Sequence, residues 1–388
     1  MNERRQFLTG AGLTALSYSR VQGANDRVRI GGMGMGGRGR YLVQTAKEHG
    51  NAEIVAVCDV YEPRRAETLA KVAPGARQHV DYREVLDAKD IDAVVIGSPD
   101  HWHVPMAIDA VRAGKDVYVE KPLTKTIEEG PQIERAVRET GRIVQVGYQQ
   151  RSWPHFQEGA KVLAAGQLGT VTLIMASWYQ DYASNDVRKN PLDVSKLDWK
   201  KWLGRAKDRP PAPLIFFRWR WLWDFGGSHL TDLYSHYGDV IHWYMGKENP
   251  EYVEAMGGRY VLDYLECPDT INAAYQYPGY AVIYQGSMVC KLEGGNIIFR
   301  GSKAMMRINR DGFAVYPEGI VPAERTYLPP PKVEMKTQRD GTIDHMLNFL
   351  DCVKTRKPPN APVTACTSAA RAAHMGNMAY RTGARVRG

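Results

Sequence analysis

Apolar positions in residues 24–148 fall in short runs separated by stretches of helical periodicity. The runs at 28–33, 54–58, 93–97, 117–120 and 143–146 predict five β-strands. Between them Gly50 and Gly114 stand where helices stop, and Thr126 with Glu129 forms a capping-box pattern. Strands alternating with helices of this length predict an α/β Rossmann domain, a doubly wound parallel sheet. The pattern changes after residue 148. In residues 226–246, GGSHLTDLYSHYGDVIHWYMG, a stripe of Leu230, Leu233, Tyr234, Tyr237, Ile241 and Tyr244 repeats at helical spacing. Residues 252–315 alternate with turn signals, and 343–354 and 367–380 read as two closing helices. The expectation is a second, α+β domain with a large, mainly antiparallel open sheet. Trp219, Trp221 and Trp223 alternate as one face of a strand, while the polar, proline-rich stretch 181–213 reads as a loop lining a substrate cleft.

Composition fits two globular domains: 388 residues, 44% hydrophobic, with no apolar window near the roughly 18 residues of a membrane span. Five scattered cysteines without a CxxC pair exclude a disulfide scaffold or a cysteine zinc site. The net charge of +8 suggests nucleic acid until it is located. Residues 1–23 carry +2 and residues 352–388 carry +7, leaving −1 on the body, so no folded module offers a basic footprint. Arg4-Arg5, the apolar stretch 7–16 and the small residues around 21–24 resemble a twin-arginine export signal. The expected organisation is therefore a signal segment (1–23), the α/β domain (24–148), the α+β domain (149–351) and a C-terminal helix with a basic tail (352–388). Export to the periplasm follows from the signal reading; a cytoplasmic protein with a basic N-terminal tail is the alternative.

The first predicted strand runs into Gly31-Gly32-Met33-Gly34-Met35-Gly36-Gly37-Arg38-Gly39. Two GxGxxG registers fit, 32/34/37 and 34/36/39; the second leaves a full-length strand before the loop. Such glycines let a pyrophosphate approach a helix N-terminus. Asp59 ends the second strand 20 residues beyond Gly39, where a carboxylate accepts from ribose hydroxyls and repels a 2′-phosphate. NAD is favoured over NADP, with Arg64 and Arg65 as the opposing signal.

Further along stand Ser98-Pro99-Asp100-His101-Trp102-His103 and Glu120-Lys121-Pro122. With the glycine loop and Cys58-Asp59-Val60, these motifs resemble the glucose–fructose oxidoreductase/inositol dehydrogenase family, Gfo/Idh/MocA. One departure is Gly31-Gly32, where such a strand usually carries bulky apolar residues. The resemblance implies a cofactor site of Gly34, Gly36, Gly37, Arg38, Gly39, Asp59, Ser98, Pro99, Asp100, His103, Glu120 and Lys121. It implies a substrate site of Lys121, Tyr148, Gln150, Arg151, His229, Asp232 and His236.

The second stripe of the 226–246 helix holds His229, Asp232, His236, Asp239 and Trp243, with no Lys, Arg or Glu, and so reads as a shielded site rather than a solvated face. Asp232 and His236, four apart, match the family's D-x-x-x-H element. By resemblance His236 is the general base, Lys121 holds the reacting oxygen, and Asp232 binds substrate or orients the imidazole. A base titrating near the working pH suits alcohol oxidation. His101, His103, His229 and His236 could in principle ligate a metal, but no compact metal-binding spacing supports one, and none is expected. The implied activity is hydride transfer between a sugar or cyclitol carbon and a tightly held NAD. An NAD-dependent glycosidase working by transient oxidation, elimination, hydration and re-reduction is the alternative, and a non-catalytic sugar- or dinucleotide-binding protein is a third reading. A homo-oligomer is implied by family analogy.

Overall fold

The computed structural model describes residues 27–319 and 328–388. The export-signal segment lies outside the described residues. Six strands, Arg29–Met33 (β1), Glu53–Cys58 (β2), Arg77–His79 (β3), Ala93–Ile96 (β4), Asp116–Val119 (β5) and Val144–Val146 (β6), form one parallel sheet in the order β3-β2-β1-β4-β5-β6. The order reverses between β1 and β4, which opens a crevice beyond their carboxyl ends. The edge strand β3 had no apolar signal, because its three residues, Arg-Gln-His, pair with β2 by backbone alone.

Gly31 and Gly32 lie inside β1, and their neighbours supply the missing bulk. A Cβ on Gly31 would sit 2.4 Å from Val85 Cγ1, and one on Gly32 would sit 2.8 Å from Met35 Cε. The glycines therefore mark close packing rather than a weakened strand. The helix predicted from the Thr126/Glu129 pattern begins only at Glu129, and runs to Thr140. The Glu129 carboxylate still accepts from the backbone N–H of Lys125 (2.6 Å) and Thr126 (3.4 Å).

The second sheet has nine strands: Val171–Tyr179 (β7), Tyr252–Gly258 (β8), Thr270–Tyr277 (β9), Tyr280–Ser287 (β10), Gly295–Gly301 (β11), Ala304–Asn309 (β12), Gly312–Pro317 (β13), Val333–Lys336 (β14) and Val386–Arg387 (β15). Their order is β14-β13-β12-β11-β7-β10-β9-β8-β15, antiparallel throughout except for the parallel β7–β10 pair. Alternate side chains of β7 and β10, including Ile174, Ala176, Trp178, Val282 and Tyr284, pack against Tyr234, Tyr237 and Ile241 of the central helix. The closing helix Gly341–Thr355 returns to the first sheet, seating Met346, Phe349 and Leu350 beside Ile30, Leu42 and Val43. No helix among the described residues is long and apolar enough to cross a membrane.

Two expectations for the second half are corrected. Trp219 to Trp221 form one 3-10 turn after the short helix Pro213–Arg218, not a strand; Trp219 and Trp221 are buried core residues nonetheless. Residues 181–213 are not a free loop. They fold into short turns and the helix Trp199–Leu203, and pack on the loop after β2. Tyr61 bridges to Leu197, the Asp198 N–H donates to the Val60 carbonyl at 3.0 Å, and Tyr61 meets Phe216 edge-on at 5.1 Å. Apolar Leu197, Trp202, Leu203 and Phe216 needed a surface, and the nucleotide-binding end of the first sheet provides it.

Candidate active site

The glycine loop joins β1 to the helix Gly37–Gly50, with Gly36 at its N-cap and no side chain capping it. Its first-turn N–H groups are thus free to meet an anion. Gly34 has φ +80°, and a Cβ on Gly39 would sit 2.0 Å from the Gly34 carbonyl oxygen, whereas nothing lies within 4 Å of the corresponding position on Gly37. This is the geometry of the 34/36/39 register. A cleft of about 590 Å³ opens beside it, lined by Gly34, Asp59, Arg64, Ser98, Pro99 and Trp202 among others. The Asp59 carboxylate is buried and already accepts from the N–H of Met35 (2.7 Å) and of Tyr61 (2.9 Å), which fixes it at the cleft wall with lone pairs to spare.

Arg38 donates to Glu120 at 2.8 Å, and its Nη2 is buried without a partner, as is Ser98 Oγ. Uncapped amides, a cradle too tight for side chains and orphaned donors together fit a dinucleotide. His103 has another place. It is buried, with its ring nitrogens 2.7 and 2.9 Å from the carbonyl oxygens of Pro122 and Ser98, so it clamps two loops behind the cleft instead of facing it.

The chemical cluster forms where the end of β5 meets the central helix. That helix begins with a widened π-turn, Leu230–Tyr234, and continues as Ser235–Met245. Residues 225–242 are all buried, so neither stripe read from the sequence faces solvent. The π-turn carries Asp232, a common placement for functional residues. Lys121 Nζ donates to Asp232 Oδ1 (2.7 Å) and to the Asp232 carbonyl (2.6 Å), and Arg220 Nε donates to the same Oδ1 (3.1 Å). Burial would raise the Asp232 carboxyl, but Lys121 and Arg220 outweigh it and hold it below the usual carboxylate range. Asp100, also buried, faces this charge cluster; burial pushes it up to about 8, so it is mostly protonated at neutral pH.

His236 Nδ1 donates to Gln150 Oε1 at 3.1 Å, leaving Nε2 as the proton acceptor. Trp178 stacks on the imidazole at 5.6 Å and Tyr148 meets it edge-on at 5.8 Å. Two expectations change here. The imidazole is oriented by Gln150, and Asp232 is engaged with Lys121 and Arg220. Burial, followed by the positive charges of Lys121, Arg310 and Arg38, drives the His236 pKa well below its ordinary value, so it is neutral across the physiological range rather than poised near it.

Arg151 is drawn away from the cluster: its Nε donates to both Asp239 oxygens at 2.9 and 2.8 Å, pinning the Gln149–Ser152 turn to the central helix. His229 Nδ1 bonds the Tyr284 hydroxyl at 2.7 Å, while its Nε2 is buried and unpartnered. Buried unpartnered atoms recur around the cluster, on Asp100, Gln150, His229 and Arg310. Sequence reasoning missed Arg220, Trp178 and Arg310. Arg310 had only a local signal, the Asn309-Arg310-Asp311-Gly312 turn, and nothing in it pointed to a site.

A glycine-cradled crevice beyond one sheet and a buried Lys–Asp–His cluster beside it define a two-sheet protein with a site that fits a dinucleotide. The chain belongs to the Gfo/Idh/MocA family: residues 28–148 match the oxidoreductase family, NAD-binding Rossmann fold, and residues 203–307 match the GFO/IDH/MocA C-terminal domain. Inositol 2-dehydrogenase 2 of Saccharopolyspora erythraea is 37% identical over 149 residues, 38% of this chain and 44% of that protein. A glycosyl hydrolase family 109 protein of a Shewanella species is 36% identical over 116 residues, 28% of this chain and 25% of the relative. The chain thus matches less than half the length of these curated relatives. Levoglucosan dehydrogenase, solved with NADH and levoglucosan, shares the fold at a TM-score of 0.73 and 16% identity, covering 93% of this chain and 99% of that one.

Proposed function

We propose that the protein oxidises a hydroxyl-bearing carbon of a sugar or cyclitol with a tightly held NAD. The observation that carries this reading is the convergence of Lys121, at the end of β5, with Asp232 and His236 on the central helix. Bound NAD supplies the hydride acceptor at this place. His236 Nε2 takes the hydroxyl proton as the carbonyl forms, and Lys121 Nζ donates to the oxygen on which negative charge develops. Asp232 keeps the lysine in position, and Gln150 keeps the imidazole in the tautomer that can accept.

The stretch around Trp202 supports tight retention. His101 Nε2 and Trp102 Nε1 lie 3.0 and 2.9 Å from the Trp202 carbonyl oxygen, and Trp202 and Lys201 line the 590 Å³ cleft, so the substrate domain roofs the nucleotide end. Asp59 favours NAD over NADP at that end. The twin-arginine motif supports export to the periplasm, where a retained cofactor is an advantage. The open face of the second sheet carries half-buried Leu173, Met175, Ile283 and Ile298, which supports association through it.

The test is to determine bound dinucleotide in the purified protein, then follow absorbance at 340 nm with inositols, hexoses and anhydrosugars. Substrate-dependent reduction that is lost in Lys121→Ala and His236→Asn is expected. The glycosidase reading is favoured by the family 109 relative. It predicts aglycone release from 4-nitrophenyl glycosides without added NAD or net NADH, and that result would replace the dehydrogenase. No turnover of either kind, with dinucleotide bound, would leave a binding protein.

A further inference from the structure

Positive charge in the catalytic cleft exceeds what its carboxylates balance. Lys121 and Arg220 share the single carboxylate of Asp232. Arg38 is answered by Glu120. Arg310 forms no ion pair among the described residues; the charges of Asp340 and Glu120 reach it only at longer range, against the repulsion of Arg38. It lies between β12 and β13, its guanidinium over the Trp178 ring at 4.8 Å, with Nε buried and unbonded. Trp178 is the same ring that stacks on His236, so Arg310 belongs to the wall around the imidazole. Its charge is the second largest, after that of Lys121, acting to lower the His236 pKa, which places it electrostatically in the site. Arg310 is half-buried, and a partly desolvated cation with no ion pair of its own can meet its counter-ion in a ligand.

Two anions could meet it: the phosphates of the cofactor or a group on the substrate. The phosphates have their own partners at the uncapped N-terminus of the Gly37–Gly50 helix. Arg310 comes from the second sheet and rests on an aromatic ring that borders the base. Gln150 Nε2, an orphaned donor on the residue that orients His236, leaves further unmet hydrogen-bonding capacity at this wall.

We propose that the substrate is a carboxylate-bearing sugar, a hexuronate or its glycoside, whose carboxylate pairs with Arg310 while a ring hydroxyl is presented to Lys121 and His236. The inference rests on the hydroxyl-oxidation reading above. The redox step is the same: one C–H and one O–H bond break, the hydride goes to NAD, the proton to His236, and the substrate carboxylate is unchanged.

The test separates binding from turnover. Protein loaded with NADH, which cannot oxidise a hydroxyl, is titrated calorimetrically with D-glucuronate and D-galacturonate and with D-glucose and D-galactose. A uronate preference of about tenfold or more is expected, the size of one charge-assisted contact. Arg310→Gln should bring the two classes near parity while NADH affinity changes less than about twofold, and Arg310→Lys should fall between. Unaltered far-UV circular dichroism and melting temperature verify the fold of each variant. Equal binding of uronates and neutral hexoses by the native protein would overturn the proposal. So would an Arg310→Gln protein that weakens NADH and leaves the uronate preference intact, because Arg310 would then serve the cofactor. If uronates bind through Arg310 but no substrate reduces NAD, the recognition stands and the oxidoreductase reading falls.

Discussion

The Lys121–Asp232 contact joins residues 111 apart in sequence and ties the end of β5 to the central helix. Its side chains are only 11% and 7% exposed, so the charges are shielded from solvent. Replacing Asp232 with Asn leaves Lys121 and Arg220 facing each other without a carboxylate. Breaking a buried pair this way costs about 3–5 kcal/mol; Arg220 is 38% exposed and can regain water, so the lower end, about 3 kcal/mol, is expected. Lys121→Met leaves Asp232 its arginine and should cost less, about 1–2 kcal/mol. The double variant removes both members, so its cost should fall short of the sum by about 1–2 kcal/mol. Urea unfolding of the four proteins, followed by circular dichroism and tryptophan fluorescence, measures this coupling. Both single variants should also lose at least about 100-fold in turnover. A double-variant cost equal to the sum within about 0.5 kcal/mol would show that the contact carries no interaction energy, and the site as drawn would be wrong.

Three further outcomes follow from the geometry. Gly39→Ala should abolish retention of bound dinucleotide, because its Cβ meets the Gly34 carbonyl at 2.0 Å, while Gly37→Ala, with open space around it, should retain most of it; equal behaviour would refute the loop register. Asp198→Ala removes the acceptor for the Lys201 N–H in the short helix roofing the nucleotide end, and should speed NAD release several-fold with about 1 kcal/mol of stability lost; an unchanged off-rate in a chase experiment would mean that the roof does not retain the cofactor. Burial lowers the pKa of eight of the ten histidines below their ordinary value of 6.5, His101, His229, His345 and His374 to about 4. The unfolded chain then binds more protons below pH 6.5, so this stability is full above 6.5 and is lost as pH falls toward 4. The carboxyls of Asp100, Glu129 and Asp239, raised by burial, work in the opposite sense, but as three groups against eight. The urea-derived stability should fall between pH 6.5 and 5 by more than the roughly 1.4 kcal/mol per unit that a single proton allows; a shallower slope would contradict the neutral, buried state of these imidazoles.

The first sheet was legible because each strand is an apolar run buried on both faces, as in Ala93–Ile96, where all four residues are buried. β3 was not, since an exposed edge strand needs no side-chain pattern. Lys121, Asp232 and His236 were found through motifs, yet their partners were not. Arg220 reaches Asp232 from a 3-10 turn, and Gln150 meets His236 across 86 residues of sequence, contacts that no local period encodes. The tryptophans misled for a related reason: alternation at Trp219, Trp221 and Trp223 fits a strand, but a tight turn beside buried aromatic neighbours satisfies the same burial. The 181–213 stretch looked polar enough to be a free loop, and only its few apolar residues, Leu197, Trp202 and Leu203, determine where it docks.

That docking bears on how the site is assembled. Lys121 and the glycine loop belong to one sheet, Asp232 and His236 to a helix on the other, and neither unit contains a complete set of reacting groups. The contacts that bring them together are the ion pair at Asp232, the Gln150–His236 bond at the crossover, and the 181–213 stretch lying over the loop after β2. All three are contacts between groups of the chain itself, so the basic groups are held in place by the protein's own side chains and backbone. Preorganised dipoles and charges cost little reorganisation when charge develops. The low basicity of His236 is the consequence of the same arrangement: the cations that stabilise an oxyanion also depress the base. Removing one of them should therefore shift the acid limb of the rate profile upward. Arg310→Gln is the variant to test this, since Arg310 acts on the imidazole without touching Lys121 or Asp232, and an acid limb that stays where it is in that variant would show that its charge is not felt at the base.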